Sequence, residues 1–498
     1  MFYPSEMNQA LNGNGSSVGS VRKPIGPGPA LNLMESAITF RTADGQMRHA
    51  TIIRAALLMV HFELYDPTLV LRLSEVLDAF QISFHGRTAY RGRAVVRCLV
   101  ETGFKVSCEA ILTEESWCGL NSMSSASPDG KAPVFSEFLA EWQKLSRVQP
   151  AVKTTAVDLM TFFTESQIWL NQVELSLRLQ PLSSQDSMER EILHALDPHF
   201  IRAVTGITES FEHALNQMEN ELRPLHQSFL RRFLHPLTQC SPFMHRAFEK
   251  PLGYAGDFEV VDMMFRDPFQ GGTLFAKLLN SYALQLPPVA AHRNRIQYLL
   301  DMLGKVALQA RAQKRVAKVF NLGCGPAREV QQFLAVSPLS DQASFVLSDF
   351  EEKTLIHTER VLQELKQRHQ RRTPVKTIKI SVAQLIKQHE RRGKPGQEEQ
   401  YDLIYCAGLF DYLTDSVCHR LMEVFYSMLS PGGLLLATNV DNHDATNQME
   451  CFLDWHLFYR DPAKMREIAP TQARHDEVAI KGDPTGANVF VEVRKPGS

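Results

Sequence analysis

The stretch Val319-Phe-Asn-Leu-Gly-Cys-Gly-Pro-Ala-Arg-Glu-Val330 constrains this chain more than any other. An apolar run ends in Gly323-x-Gly325, and a helix-forming run follows at once. Glycine admits positive φ and lets a ligand approach the backbone to contact distance. Pro326 sits where a first helical turn has no N–H to lose. Two glycines can also mark an ordinary strand-to-helix turn, so the downstream segments have to separate that reading from a nucleotide-cofactor loop.

Phe345-Val-Leu-Ser-Asp349 reads as a second strand ending in an acid, about 20 residues after the loop, where doubly wound folds place a carboxylate on a ribose diol. Val375 to Ser381 and Tyr401 to Cys406 read as a third and a fourth strand. The fourth runs into Ala407-Gly-Leu-Phe-Asp-Tyr-Leu413, and Ser430-Pro-Gly-Gly433 then feeds the strand Leu434 to Thr438. The chain ends in two further strand patterns, 476–481 and 489–494, separated by a Gly-Asp-Pro-Thr-Gly turn. In order and spacing this set resembles the class I S-adenosylmethionine-dependent methyltransferases, whose last strand is reversed. A dehydrogenase loop would usually carry a third glycine, whereas Ala327 and Arg328 stand in that stretch here. The resemblance implies S-adenosyl-L-methionine as cofactor, in a pocket bounded by Gly323, Cys324, Gly325, Asp349, Phe350, Ser381, Val382, Ala407 and Gly408, with Asp349 on the ribose and Val382 beside the adenine. Two positions depart from the pattern: Asn321 stands where many such enzymes carry an acid, and Ala327 replaces a small glycine. Glu329 can simply favour a helix N-terminus.

At 498 residues the chain has room for two or three domains, and 44% hydrophobic composition supplies their cores. A net charge of −2 carries no nucleic-acid footprint. The eight cysteines show no paired C-x-x-C spacing, so neither a disulfide framework nor a metal site is expected. No run of about 18 apolar residues suggests a membrane span, and the polar N-terminus lacks a signal-peptide core. A cytoplasmic enzyme is the expectation; oligomeric state has no signature.

Composition divides the chain. Residues 1–35 should form a flexible tail, rich in Gly, Ser, Asn and Pro. Residues 36–120 alternate in short runs, such as Ala50 to Arg54, Val60 to Leu64, Phe80 to Phe84 and Phe104 to Cys108, the pattern of a small β-barrel or sandwich. In strand pattern and size this resembles a degenerate PilZ domain, the bacterial cyclic di-GMP sensor. Arg93 and Arg97 have the spacing of its R-x-x-x-R, but with Arg91 they lie inside a strand run whose period of two puts all three on one face. No downstream D/N-x-S-x-x-G completes a nucleotide site, so cyclic di-GMP is not an expected ligand. A Ser/Gly/Pro linker covers 121–133, a helical region 134–312, and the methyltransferase domain 313–498. Two apolar stripes stand out in the helical region: Leu225, Phe229 and Phe233, and Leu274 to Tyr282. Core packing explains both, although the second follows Gly271-Gly272 and could form a lid over an apolar substrate.

Phe248 to Glu259 is dense in Gly, Tyr and carboxylates. Together with Gly408 to Tyr412 and Asp454 to Arg460, it resembles the bacterial methyltransferases that make the extracellular factor 3-hydroxypalmitic acid methyl ester, a quorum-sensing signal; the resemblance covers roughly 190–498. It implies methylation of a 3-hydroxy fatty acid carboxylate, free or carrier-bound. The remaining readings are a methyltransferase for another small molecule or a protein, and a cyclic di-GMP-responsive regulatory protein. A carboxylate is ionised at neutral pH and needs no general base; it needs a cation, for which Arg460, Arg293 and Arg295 are candidates. Arg460 could instead cap a helix over 455–459, and Arg293 could face solvent. Tyr254 and Tyr412 can donate hydrogen bonds or face the sulfonium, while Asp257, Trp455 and Tyr459 are candidate substrate contacts. His456 would act as a base only for a hydroxyl acceptor.

Overall fold

The computed structural model describes residues 36–42, 45–56, 58–64, 70–84, 87–101, 106–113, 117, 148–216, 223–392 and 399–497. The expected tail, the linker 121–133 and the stretch 134–147 lie outside the described residues. The architecture is multidomain, as expected: a barrel, a helical region and an α/β sheet.

Six antiparallel strands close the barrel in the order β1-β2-β3-β6-β5-β4. They are β1 (Ser36–Arg41), β2 (Met47–Ala55), β3 (Met59–Leu64), β4 (Val76–Phe84), β5 (Arg87–Glu101) and β6 (Val106–Leu112). Strand alternation fills the interior: Val60, Phe62 and Leu64 of β3 point inward, and Phe40, Phe62 and Phe80 meet with ring centroids 5.6–5.9 Å apart. On β5 Ala94 and Val96 face the core, while Arg91, Arg93 and Arg97 lie on the outer face. Arg91 there bonds Gln81, and Arg97 faces Glu109.

The helical core forms where Phe163 of helix Pro150–Arg178, Phe200 of helix Leu182–Asn216 and Phe275 of helix Leu274–Gln285 pack together. Ten of the twelve residues of Leu274–Gln285 are buried, so this stripe is core and not a lid. Gly271 is no hinge either: with φ at 148° it makes a tight turn, and a Cβ there would lie 2.7 Å from that of Ala276. Helix Arg223–Thr238 buries His226, Leu230 and Leu234. The stripe read from sequence is therefore shifted by one position; Leu225 and Phe229 lie at the edge of the core, and Phe233 is exposed.

The last domain is a seven-stranded sheet of order β12-β13-β11-β10-β7-β8-β9. It comprises β7 (Ala317–Leu322), β8 (Ala343–Asp349), β9 (Val375–Lys379), β10 (Tyr401–Ala407), β11 (Leu429–Val440), β12 (Val478–Gly482) and β13 (Asn488–Arg494). β7 to β11 pair in parallel, and β13 pairs antiparallel with both β11 and β12. The chain starts at β7, runs outward to β9, then returns to β10, so the crevice at the carboxyl ends of β7 and β10 is where a ligand fits.

Helix Thr446–Leu453 joins the helical region to this sheet. It has no side-chain cap of its own; instead Glu212 accepts from the amides of Asn447 (3.2 Å) and Gln448 (2.9 Å). Burial pushes the Glu212 carboxyl up to about 7, against the pull of its bonds from Asn447 and Gln448. Its folded value therefore exceeds the unfolded one, so the folded state holds the proton more tightly. The stabilisation from this group should be greatest below about pH 4.5 and be lost as pH rises through about 7, by on the order of 3 kcal/mol. Urea unfolding at pH 5 and pH 8 should show a smaller decline for Glu212→Gln than for the parent chain.

Candidate active site

The glycine loop is held by the neighbouring strand. Gly323 and Cys324 donate their amides to the Ser348 carbonyl at 2.8 and 3.0 Å, and the Gly325 amide donates to Asp349 Oδ2 at 3.1 Å. Gly323 and Gly325 take φ of 71° and 51°, and Ala327 also lies in the left-handed region at 51°, a conformation that costs a residue with a Cβ about 1 kcal/mol. Asp349 is buried at the end of β8, and its Oδ1 accepts from the Glu351 amide. Burial raises its carboxyl above the ordinary value, while the bonds from Glu351 and Gly325 and the charge of Arg72 pull it back.

Glu329 does more than favour a helix start. It is buried in the first turn of helix Arg328–Val336, where its Oε1 accepts from Tyr405 Oη at 2.6 Å and from Asn321 Nδ2 at 3.3 Å. Burial raises this carboxyl too, with Tyr405 and the charges of Arg295 and Arg328 opposing. Asn321, at the strand end, thus has a buried acid of the next helix as its partner.

One cavity of about 240 Å³ opens beside this loop, and all nine residues expected to bound the cofactor line it. Tyr254, Tyr412, Trp455 and Arg295 line it as well. Trp455 Nε1 donates to Tyr412 Oη at 2.9 Å, and Gly256 packs so close that a Cβ would lie 2.9 Å from that oxygen. The three segments 248–259, 408–412 and 454–460 converge here. Tyr254 stands against Phe350, ring centroids 5.1 Å apart, and burial raises its phenol.

Other expected contacts lie elsewhere. Asp257 caps helix Phe258–Met263 and holds Arg246 through both oxygens at 3.1 and 2.8 Å. Tyr459 packs on His443 outside the cavity lining. Arg460 is 1% exposed and lies outside the lining of this cavity: it donates to Asp415, Asn439 and the carbonyls of Phe410 and Leu413 at 2.6–2.8 Å. It caps no helix, since 455–459 is not helical; its guanidinium is consumed in bracing the turn Phe410–Tyr412. Arg293 donates to the carbonyls of Leu284 and Met264. The His456 backbone bonds Ser74, and its ring is buried outside the cavity lining.

Sequence reasoning missed His292 and the barrel, and read Glu329 only as a residue that favours a helix start. Thr42, Arg48, Val70, Arg72, Leu73 and Glu75 line the same cavity as the glycine loop. Their contribution has no motif, because it arises from docking between segments remote in sequence.

The donor set fits an adenosyl-methionine ligand. Beyond its chain neighbours, Gly325 has no heavy atom within 4 Å of where a Cβ would be, leaving an open cradle, and Asp349 and Glu329 are buried carboxylates near it that would suit ribose hydroxyls and an ammonium. Residues 320–435 match a methyltransferase-domain family. No curated protein matches the chain. Similar solved structures include a possible exported protein from Bordetella parapertussis, at 18% identity over 61% of this chain and 97% of that one, TM-score 0.38. Magnesium protoporphyrin IX methyltransferase from Synechocystis PCC 6803, with bound S-adenosylhomocysteine, is 12% identical over 47% of this chain and 92% of that one, TM-score 0.31. Human N-acetylserotonin methyltransferase in complex with S-adenosylmethionine is 17% identical over 43% and 58%, TM-score 0.26.

Two substitutions separate binding from bracing. Asp349→Ala should weaken S-adenosylhomocysteine binding by about 1–3 kcal/mol in calorimetry. Arg460→Ala leaves buried acceptors without donors and should lower the unfolding free energy by about 3 kcal/mol or more. An Asp349 variant with unchanged affinity would take that carboxylate out of the site.

Proposed function

We propose that this S-adenosylmethionine-dependent methyltransferase esterifies the carboxylate of a 3-hydroxy fatty acid. The observation that carries the reading is a cavity lined by a buried arginine, with a second, apolar cavity between helices adjoining it. Arg295, in helix Pro287–Ala312, is 6% exposed, and its Nη2 lies 2.6 Å from His292 Nδ1. A guanidinium only donates, so Nδ1 accepts and the neutral ring carries its proton on Nε2. Burial, with the charges of Arg295 and Arg293, holds His292 well below its ordinary value, which keeps it neutral. Arg295 Nε and His292 Nε2 have no partner among the described residues. Arg295 nevertheless lines the cavity, and its guanidinium is the buried cation there that would hold a carboxylate through charge-assisted bonds.

The other end suits an acyl chain. Phe243, Leu286 and Leu453 line the main cavity and also a second one, which runs between the helices along Leu159, Phe163 and Leu279.

The bound cofactor supplies an electrophilic methyl group. The protein has little chemistry to add, because the acceptor is already ionised at neutral pH. Arg295 orients the carboxylate, the Tyr412–Trp455 pair and the apolar wall exclude water, and the geometry holds the reactants in position. No base is needed, in keeping with His456 lying outside the cavity. Esterification removes the charge that Arg295 holds, which favours release of an uncharged ester suited to the signalling role that the family resemblance implies.

The test is incubation of the purified chain with methyl-labelled S-adenosylmethionine and 3-hydroxy fatty acids of graded length, with mass analysis of the products. Label should appear in the methyl ester, and the maximal rate should stay nearly flat from about pH 6 to 9. Arg295→Lys should raise the KM for the acid by losing the planar fork. Label in an ether at the 3-hydroxyl, or a rate rising through a near-neutral pKa, would contradict the carboxylate reading.

A further inference from the structure

The barrel segment 70–75, between β3 and β4, leaves the barrel wall and enters the methyltransferase cavity. It is held there from both sides. The Leu73 amide donates to the Tyr412 carbonyl at 3.1 Å, and the Val76 amide to the Gly253 carbonyl at 2.7 Å. Ser74 Oγ donates to the His456 carbonyl at 2.9 Å, a contact spanning 382 residues of sequence, and accepts from the His456 amide. Ser74 is fully buried with φ at 58°, a left-handed conformation that a serine keeps only where its surroundings enforce it. Arg93 ties the outer barrel face to the Glu249 carbonyl at 2.6 Å. Val70 packs on the apolar core of the sheet, while Tyr412 and Phe458 pack on that of the barrel.

This docking brings Arg72 to the cofactor end. Arg72 Cζ lies 3.9 Å from the centroid of the Phe350 ring and 5.4 Å from that of Tyr254. Its backbone amide donates to Glu75 Oε2, and its Nε lies 3.6 Å from the same oxygen, which sets the side chain's direction. Phe350 directly follows Asp349, the ribose acid. A planar guanidinium beside that carboxylate can stack on a purine and donate to ribose oxygens, which an ammonium cannot do together.

The geometry points to Arg72 as a cofactor-contact residue contributed by the N-terminal barrel, closing the pocket over the adenosine end of S-adenosylmethionine. The barrel is then a structural part of the active site. This assignment concerns the cofactor and is independent of which acceptor is methylated.

The test uses the full chain with Arg72→Ala and Arg72→Lys. Calorimetric titration with S-adenosylhomocysteine should show about tenfold weaker binding for Arg72→Ala. Arg72→Lys should recover less than half of that loss on a logarithmic scale, because the plane is gone although the charge remains. The unfolding temperature without ligand should stay within about 2 °C of the parent, and the KM for S-adenosylmethionine should rise while that for the acceptor does not. Should Arg72→Ala fail to fold, the titration of Arg72→Lys decides alone. Unchanged affinity, tighter binding on removal of the side chain, or a loss confined to the acceptor KM would each overturn the assignment.

Discussion

The pocket depends on the short turn Phe410–Tyr412 and on the buried guanidinium of Arg460 that fixes it. Burying an arginine is costly unless every donor finds an acceptor, and here Nε, Nη1 and Nη2 all do. Asp411 adds a second brace, accepting the Val440 amide at 2.7 Å while its carbonyl accepts the Phe458 amide at 2.7 Å. With the turn fixed, Tyr412 can present three faces: its hydroxyl to Trp455, its carbonyl to Leu73 of the barrel, and its ring to the cavity.

From that turn the site becomes a meeting of three parts of the chain. The sheet supplies the glycine loop, Asp349 and Glu329; the helical region supplies Arg295, His292 and the apolar wall; the barrel supplies Arg72. Charge alternates along the cavity: Arg72 stands by Asp349, while Arg295, bonded to a neutral His292, lies near Asp411 and Glu329. Among the described residues no helix is long and apolar enough to cross a membrane.

The cofactor half was legible in sequence because its signals are local. Gly323 and Gly325 must adopt positive φ, and Asp349 must end a strand, so residue type and spacing report position directly. The final hairpin was legible for the same reason. Arg460 shows where such reading stops: an arginine near a motif looks the same whether it faces a substrate or three carbonyls, and only its partners distinguish the two. The helix Arg223–Thr238 was misread by one position because Leu225 and Phe229 are apolar but sit at the edge of the core, while a histidine and a glutamine are buried. Arg72 carries no signal at all, since its role comes from an insertion of one domain into another.

The central claim is that this cavity is one site built jointly by barrel and sheet. Hydrogen–deuterium exchange on the full chain, with and without S-adenosylhomocysteine, tests it most directly, because the Leu73 and Val76 amides bridge the two. The ligand should slow exchange in peptides covering 70–76 together with those covering 323–329. Protection confined to the sheet domain, with 70–76 exchanging at the same rate in both states, would contradict it.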